Sequence, residues 1–157
     1  MTQRYALIRM SPRVMALLAA CFSILIRFLA PGWILAIALL MIPVYPIIGV
    51  VHWIVHFLSL GQPLSAFQSR LALTSNLLLV AAFAFQIDFG DGPCGVMPVT
   101  MILFWVGLGN DCPFKISEQI VPWIDLLLFV PVLITWMLLV VVAQRKSIER
   151  ASHRPAA

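Results

Sequence analysis

Two histidines one helical turn apart are the residues of this chain whose spacing most suggests chemistry. In the run HWIVH, His52 and His56 are four positions apart, so a helix places both imidazoles on one face, together with Tyr45. Such a pair can serve a metal ion, the edge of a haem or a quinone head group. It can equally act as a polar clamp between helices by bonding to Asn76, at about 0.6 kcal/mol per bond in a membrane.

A metal site at His52 and His56 has little support, because two imidazoles are two ligands short of a closed zinc site. Transmembrane haem normally takes histidines from different spans, and His153 lies in the C-terminal tail. The clamp is therefore the main interpretation of His52 and His56, with a quinone or haem contact as the alternative. No phosphate-binding glycine loop, nucleophile elbow or paired carboxylates occur, so we expect neither an enzyme nor a metal site.

The composition places these residues in a membrane protein. Hydrophobic residues make up 62% of the 157 residues, charged residues 10%, and the mean hydropathy is +1.04. A soluble domain carries about 25% charged residues, and a chain this short could not hide so much apolar surface from water. The net charge of +4 is then informative through its placement and does not indicate nucleic acid binding.

The pattern predicts an all-α, polytopic membrane helical bundle that forms one domain over residues 1–157. Ser11 and Pro12 signal the start of the first helix, Ser65 and Gln68 form a capping box before the third, and Pro43 and Pro46 predict a kink in the second. The predicted spans cover about residues 12–30, 33–59, 66–87 and 119–145.

Charge placement predicts that both termini are cytoplasmic. Eight of the ten basic residues then lie inside and two, Arg27 and Lys115, outside. Residues 1–11 and the basic tail 146–157 would be cytoplasmic, and residues 88–118 would form an external cap. The setting we expect is a bacterial inner membrane, with the tail attracted to anionic lipids.

The apolar middle of the cap allows two topologies. In the preferred one, a short re-entrant or interfacial helix covers about residues 98–109, because the 14 residues 96–109 would give only about 21 Å of helix, too little to cross a core of about 30 Å. In the competing one, residues 96–109 span the membrane and residues 12–30 lie at the interface, which would place Arg70 outside and Asp88 inside.

Cysteines flank this apolar segment. Cys94 and Cys112 would share the outer face, where an oxidising compartment allows a disulfide worth about 3 kcal/mol; two unpaired buried thiols are the alternative. Cys21 follows Leu18-Ala19-Ala20, which resembles a lipoprotein cleavage box, but the apolar run continues through it. We therefore interpret Cys21 as a small apolar residue of the first span, on which Ala16, Ala20 and Ser23 form a close-packing face.

Ionisable residues at the outer rim predict an intramembrane pair. Arg27 lies near the outer end of the first span and Asp125 near the outer end of the fourth, which makes them natural partners, with Asp88 as another possible partner for Arg27. No further acid lies deeper, so an ion pathway is the weaker interpretation.

One stretch carries a family resemblance. Residues 57–73, FLSLGQPLSAFQSRLAL, follow a long apolar hairpin, and together residues 14–98 resemble an uncharacterised family of small bacterial inner-membrane proteins. The family's acidic, PFPF-like ending is replaced here by DGPCGVMP. The resemblance implies a bacterial inner-membrane setting and no particular activity.

Three functional hypotheses follow. The first is a non-catalytic accessory subunit whose partners are other membrane protein subunits. The second is a small electron-transfer subunit that binds quinone or haem through His52 and His56. The third, a transporter or channel, is disfavoured because no span is lined with Asp, Glu or His.

The topology can be tested with a thiol reagent that does not cross intact cells. After reduction, we expect it to label Cys94 and Cys112 equally, because both lie on the outer face. Mass spectrometry of the peptides would measure the labelling, with a Cys94→Ser, Cys112→Ser double variant as the control. Labelling of one cysteine but not the other would contradict the predicted cap.

Overall fold

The computed structural model describes residues 11–29, 43–60, 65–89, 95–108 and 121–152. Within these ranges the fold is all-α, as predicted, apart from one two-residue β-ladder. The elements in chain order are α1 (Pro12–Arg27), α2 (Val44–Ser59), α3 (Ala66–Phe85), β1 (Asp88–Phe89), β2 (Gly95–Val96), α4 (Pro98–Trp105) and α5 (Val121–Ser152).

Two predicted helix starts are confirmed by their caps. The Ser11 hydroxyl accepts a hydrogen bond from Val14 N at 3.3 Å, and Pro12 occupies the first helical position. At α3, the Ser65 hydroxyl accepts from Gln68 N at 3.2 Å while Ser65 N donates to the Gln68 side chain, also at 3.2 Å. These bonds satisfy backbone donors that a helix N-terminus leaves open.

The second helix differs from the prediction. It begins at Val44, with Pro43 as the residue before it and Pro46 in its first turn. Prolines at these places lose no helical hydrogen bond. The predicted kink concerns a helix that continues back beyond Pro43, and it stays a prediction. Residues 33–42 of the predicted span lie outside the described residues, and α1 ends at Arg27, short of residue 30.

The ends of the remaining helices can be compared with the predicted ones. Helix α3 ends at Phe85, within two residues of the prediction, and the expected short helix is present as α4, Pro98–Trp105. Helix α5 continues to Ser152, seven residues beyond the predicted end at 145. The start of the basic tail is therefore helical, because residues 146–152 contain good helix formers and no glycine or proline.

Two of the described helices, rather than the predicted four, are long and apolar enough to cross a membrane. They are Ala66–Phe85, which is α3, and Trp123–Glu149, which makes up most of α5. Helix α2 is apolar but has 16 residues, and α1 also has 16. At about 1.5 Å per residue each measures about 24 Å, which is shorter than a hydrocarbon core of about 30 Å.

The four longer helices pack alternately up and down. At one end of the bundle, Arg13 at the start of α1 donates to the carbonyl of Leu60, just after α2, at 3.1 Å. At the same end, Lys146 near the end of α5 bonds to the Gln68 side chain at the start of α3. At the opposite end, Arg27 of α1 donates to the carbonyl of Gln86, just after α3. Helices α1 and α3 therefore run in one direction, and α2 and α5 run in the opposite direction.

Small residues allow α1 and α2 to approach closely. Ala16, Ala20 and Ser23 form the buried stripe of α1, as the sequence predicts. A Cβ atom added at Gly49 of α2 would lie 3.6 Å from the Ala20 Cβ and 3.2 Å from Ile24 Cδ1. Aromatic rings complete the core: Phe83 lies with ring centroids 5.0 Å from Tyr45 and 5.5 Å from Phe129.

Candidate functional site

His52 joins three helices through its ring. Its Nε2 lies 2.8 Å from Asn76 Oδ1 on α3, and the Trp136 indole nitrogen on α5 lies 2.9 Å from its Nδ1. The ring has no solvent exposure. We call His52, His56, Asn76 and Trp136 the His52 cluster.

The partners determine the tautomer of His52. An indole N–H can only donate, so Nδ1 of His52 must be the acceptor and carry no proton. The proton therefore sits on Nε2, from which it is donated to the amide oxygen of Asn76. His52 is thus a neutral imidazole whose two nitrogens are both used inside the protein.

His56 is held by the helix that carries it. Its Nδ1 lies 2.9 Å from the backbone oxygen of His52, an acceptor, so this nitrogen donates the hydrogen. The two imidazole centroids are 4.2 Å apart. Nε2 of His56 has no hydrogen-bond partner among the residues that the structure describes.

The α2 face predicted from sequence is the buried face of that helix. Tyr45, His52 and His56 are all buried on it, together with Gly49 and Ser59. Asn76, the predicted bonding partner on the neighbouring span, is the side chain that His52 contacts. This arrangement has the form of a clamp between α2 and α3, to which Trp136 adds α5.

A second polar group occupies the opposite end of the bundle. Arg27 is fully buried, and its Nη1 donates to the carbonyl oxygen of Gln86 at 2.9 Å. The backbone N–H of Ile87 donates to Asp125 Oδ1 at 3.1 Å. That carbonyl and that N–H belong to one peptide group, which we call the shared peptide. Arg27 therefore bonds to its oxygen, and Asp125 bonds to its N–H.

The shared peptide has a favourable electrostatic orientation. Its carbonyl carries the negative end of the peptide dipole and faces the guanidinium, while its N–H faces the carboxylate. The Arg27 guanidinium carbon also lies 5.7 Å from the centroid of the Tyr45 ring, within range of a cation–π interaction. The structure thus brings Arg27 and Asp125 to one location, while their direct pairing stays a prediction.

A cavity of about 380 Å³ opens beside this group, between α2 and α5. Gln86 and Asp125 are among its lining residues, together with the aromatic residues Tyr45, Phe129 and Trp136; the remaining lining residues are Val44, Ile48, Leu126, Val132 and Leu133. It therefore connects the surroundings of the shared peptide to those of the His52 cluster.

Other predicted residues fall elsewhere. Cys94 and Cys112 lie outside the described residues, so their disulfide stays a prediction. Cys21 is a free, exposed thiol on α1. In the described part of the chain no group of three or more His, Cys, Asp or Glu side chains is arranged to hold a metal ion.

Two residues of these polar groups are absent from the sequence predictions. Trp136 lies in the middle of an apolar span, where its type alone fits simple packing. A part-buried indole N–H needs an acceptor, and that requirement was the available signal. Gln86 lies at the predicted end of the third span, and a glutamine beside an apolar run must find partners for its amide.

Comparisons of this chain with protein-family models, with curated proteins and with solved structures found no match. The resemblance to a family of small bacterial membrane proteins therefore stays a prediction.

The clamp can be measured by a double-mutant cycle. Asn76→Leu should destabilise the protein by about 1–3 kcal/mol, because the His52 N–H would be left buried without an acceptor. His52→Leu and Asn76→Leu together should cost less than the sum of the two, with a coupling of about 0.6–1.7 kcal/mol. Unfolding in mixed micelles would give these values, with Thr74→Leu, an exposed position of α3, as the control. Additive effects would contradict the clamp.

A second cycle tests the polar group around the shared peptide. If Arg27 and Asp125 pair as predicted, Arg27→Gln alone should cost about 3–5 kcal/mol, because the buried carboxylate would lose its compensating charge. Adding Asp125→Asn should recover part of that loss. The free energy of unfolding of the four proteins gives the coupling, and a double variant no more stable than Arg27→Gln would show that the two charges are independent.

Proposed function

We propose that this chain is an integral membrane protein that serves as a non-catalytic accessory subunit of a larger bacterial inner-membrane assembly. The observation that carries the proposal is a row of exposed apolar side chains along α5, which we call the apolar stripe. Its members alternate at spacings of four and three residues: Trp123, Leu127, Val130, Ile134, Met137 and Val141.

The apolar stripe lies opposite the face that α5 uses within the bundle. The buried face carries Asp125, Val132, Thr135 and Leu139. In the most apolar 18-residue segment of the helix, only 17% of the residues are buried. Spacings of three and four are those with which one helix packs lengthwise against another. Lipid tolerates this surface, and a partner helix gains a continuous contact from it.

The membrane topology forms part of the proposal. We infer that α1 and α2 lie in the bilayer beside α3 and α5, with both termini cytoplasmic. Arg13 and Lys146 support this orientation, because their contacts place them at one end of the bundle. A cytoplasmic position of this end agrees with the known excess of basic residues on that side of membranes.

The hydrogen bonds of the His52 ring favour a structural role for this residue over cofactor binding. Both of its nitrogens have partners on other helices, so it could ligate haem or a metal ion only after the contacts to Trp136 and Asn76 were broken. His56 alone offers one nitrogen. An electron-transfer role for the pair is the second candidate, and a Soret band or bound quinone lost in His52→Ala would favour it.

Native gel electrophoresis of membranes solubilised in mild detergent tests the subunit role. The tagged chain should migrate with partner subunits, well above its own 17.5 kDa. Ile134→Trp should release it, because overpacking a helix contact typically costs about 1–3 kcal/mol. The control is Leu77→Trp, at an exposed position of α3. A wild-type chain that migrates alone would contradict the proposal.

A further inference from the structure

We propose that the cavity between α2 and α5 is a binding site for the head group of a lipid-soluble hydroquinone. The inference assumes the membrane location proposed above but requires no partner subunit. It concerns a different set of residues from the His52 and His56 pair, namely Tyr45, Gln86, Phe129 and Trp136.

Gln86, which lines the cavity together with Asp125, carries a buried acceptor without a partner in the described part of the chain. Gln86 is 5% exposed, and within the described structure its Oε1 has no hydrogen-bond partner. A buried acceptor without a donor is costly, so a ligand that supplies one gains more than it would in water. The terminal torsion of a glutamine side chain is soft, and a modest rotation brings Oε1 to a donor in the cavity.

The charges beside Gln86 favour a neutral ligand. Asp125 lines the cavity, and Arg27 is bound to the other end of the same peptide group. The carboxylate and the guanidinium therefore offset each other. An ammonium or phosphate head group would upset that balance, whereas a neutral hydroxyl would not.

The walls favour a flat ring. Tyr45, Phe129 and Trp136 contribute aromatic rings, and the remaining lining is mostly aliphatic. Aromatic rings attract one another in offset or edge-to-face contacts beyond the simple burial of area. The volume of about 380 Å³ lies within the range of about 300–1,000 Å³ typical of small-molecule sites.

The rim gives access from the lipid. Val44 on one side and Leu126 and Leu133 on the other line the cavity and are also exposed on the outer surface of the bundle. A long alkyl or isoprenoid tail would leave between α2 and α5 and lie along these apolar side chains. Neutral ring, hydroxyl donor and apolar tail together define the hydroquinone class.

Binding of a decyl-tailed benzohydroquinone to the purified full-length protein, under anaerobic conditions in detergent, tests the proposal. The wild type should bind it saturably and about fivefold to tenfold more tightly than the matching quinone, which has no hydroxyl to donate. Gln86→Leu should remove that preference. Leu126→Trp should weaken binding at least about tenfold by filling the cavity, whereas the adjacent, exposed Leu127→Trp should leave it unchanged.

The proposal is overturned if the wild type shows no saturable binding, if Leu126→Trp binds normally, or if excess phospholipid displaces the hydroquinone completely. Leu133→Trp, on the same wall, replaces Leu126→Trp if that variant does not fold, as judged by its thermal unfolding. The isolated chain suffices for this assay, so its result is independent of whether the chain migrates with partner subunits.

Discussion

One line of hydrogen bonds, from the Trp136 indole through the His52 ring to the Asn76 amide, ties α5, α2 and α3 together inside an otherwise apolar bundle. Apolar contacts are non-directional and permit helices to slide or rotate against one another. Hydrogen bonds are directional, and a mismatch would leave polar groups buried without partners. The His52 cluster therefore determines how the three helices are aligned.

The shared peptide complements that cluster at the opposite end. There, Arg27 of α1 and Asp125 of α5 hold the backbone just after α3, where the chain leaves the helix. Two polar groups separated along the bundle restrict both the rotation and the sliding of its helices. Between them the packing relies on small residues, as at Ala20 and Gly49, and on the aromatic contacts of Phe83.

Much of this was predictable where local chemistry decides the outcome. The caps at Ser11 and Ser65 and the buried α2 face follow from residue type and spacing alone.

Other features depend on tertiary context. Pro43 and Pro46 fit a kink as well as a helix start, and only the path of the chain separates the two. The β1–β2 pairing, Asp88 with Val96, was missed although Asp91-Gly92 is a common hairpin signal. Trp136 was missed because its acceptor lies 84 positions away.

The length of α5 has a mechanical consequence. Its 32 residues measure about 48 Å, whereas a hydrocarbon core is about 30 Å thick, so in the proposed setting about three turns of the helix would lie outside that core. No proline follows Pro131 within the helix, and Lys146 is fastened to Gln68 near the membrane surface. Beyond that contact, the last residues of α5 continue the same helix without a break. In the proposed setting, a tilt of the part inside the bilayer would therefore displace this end sideways.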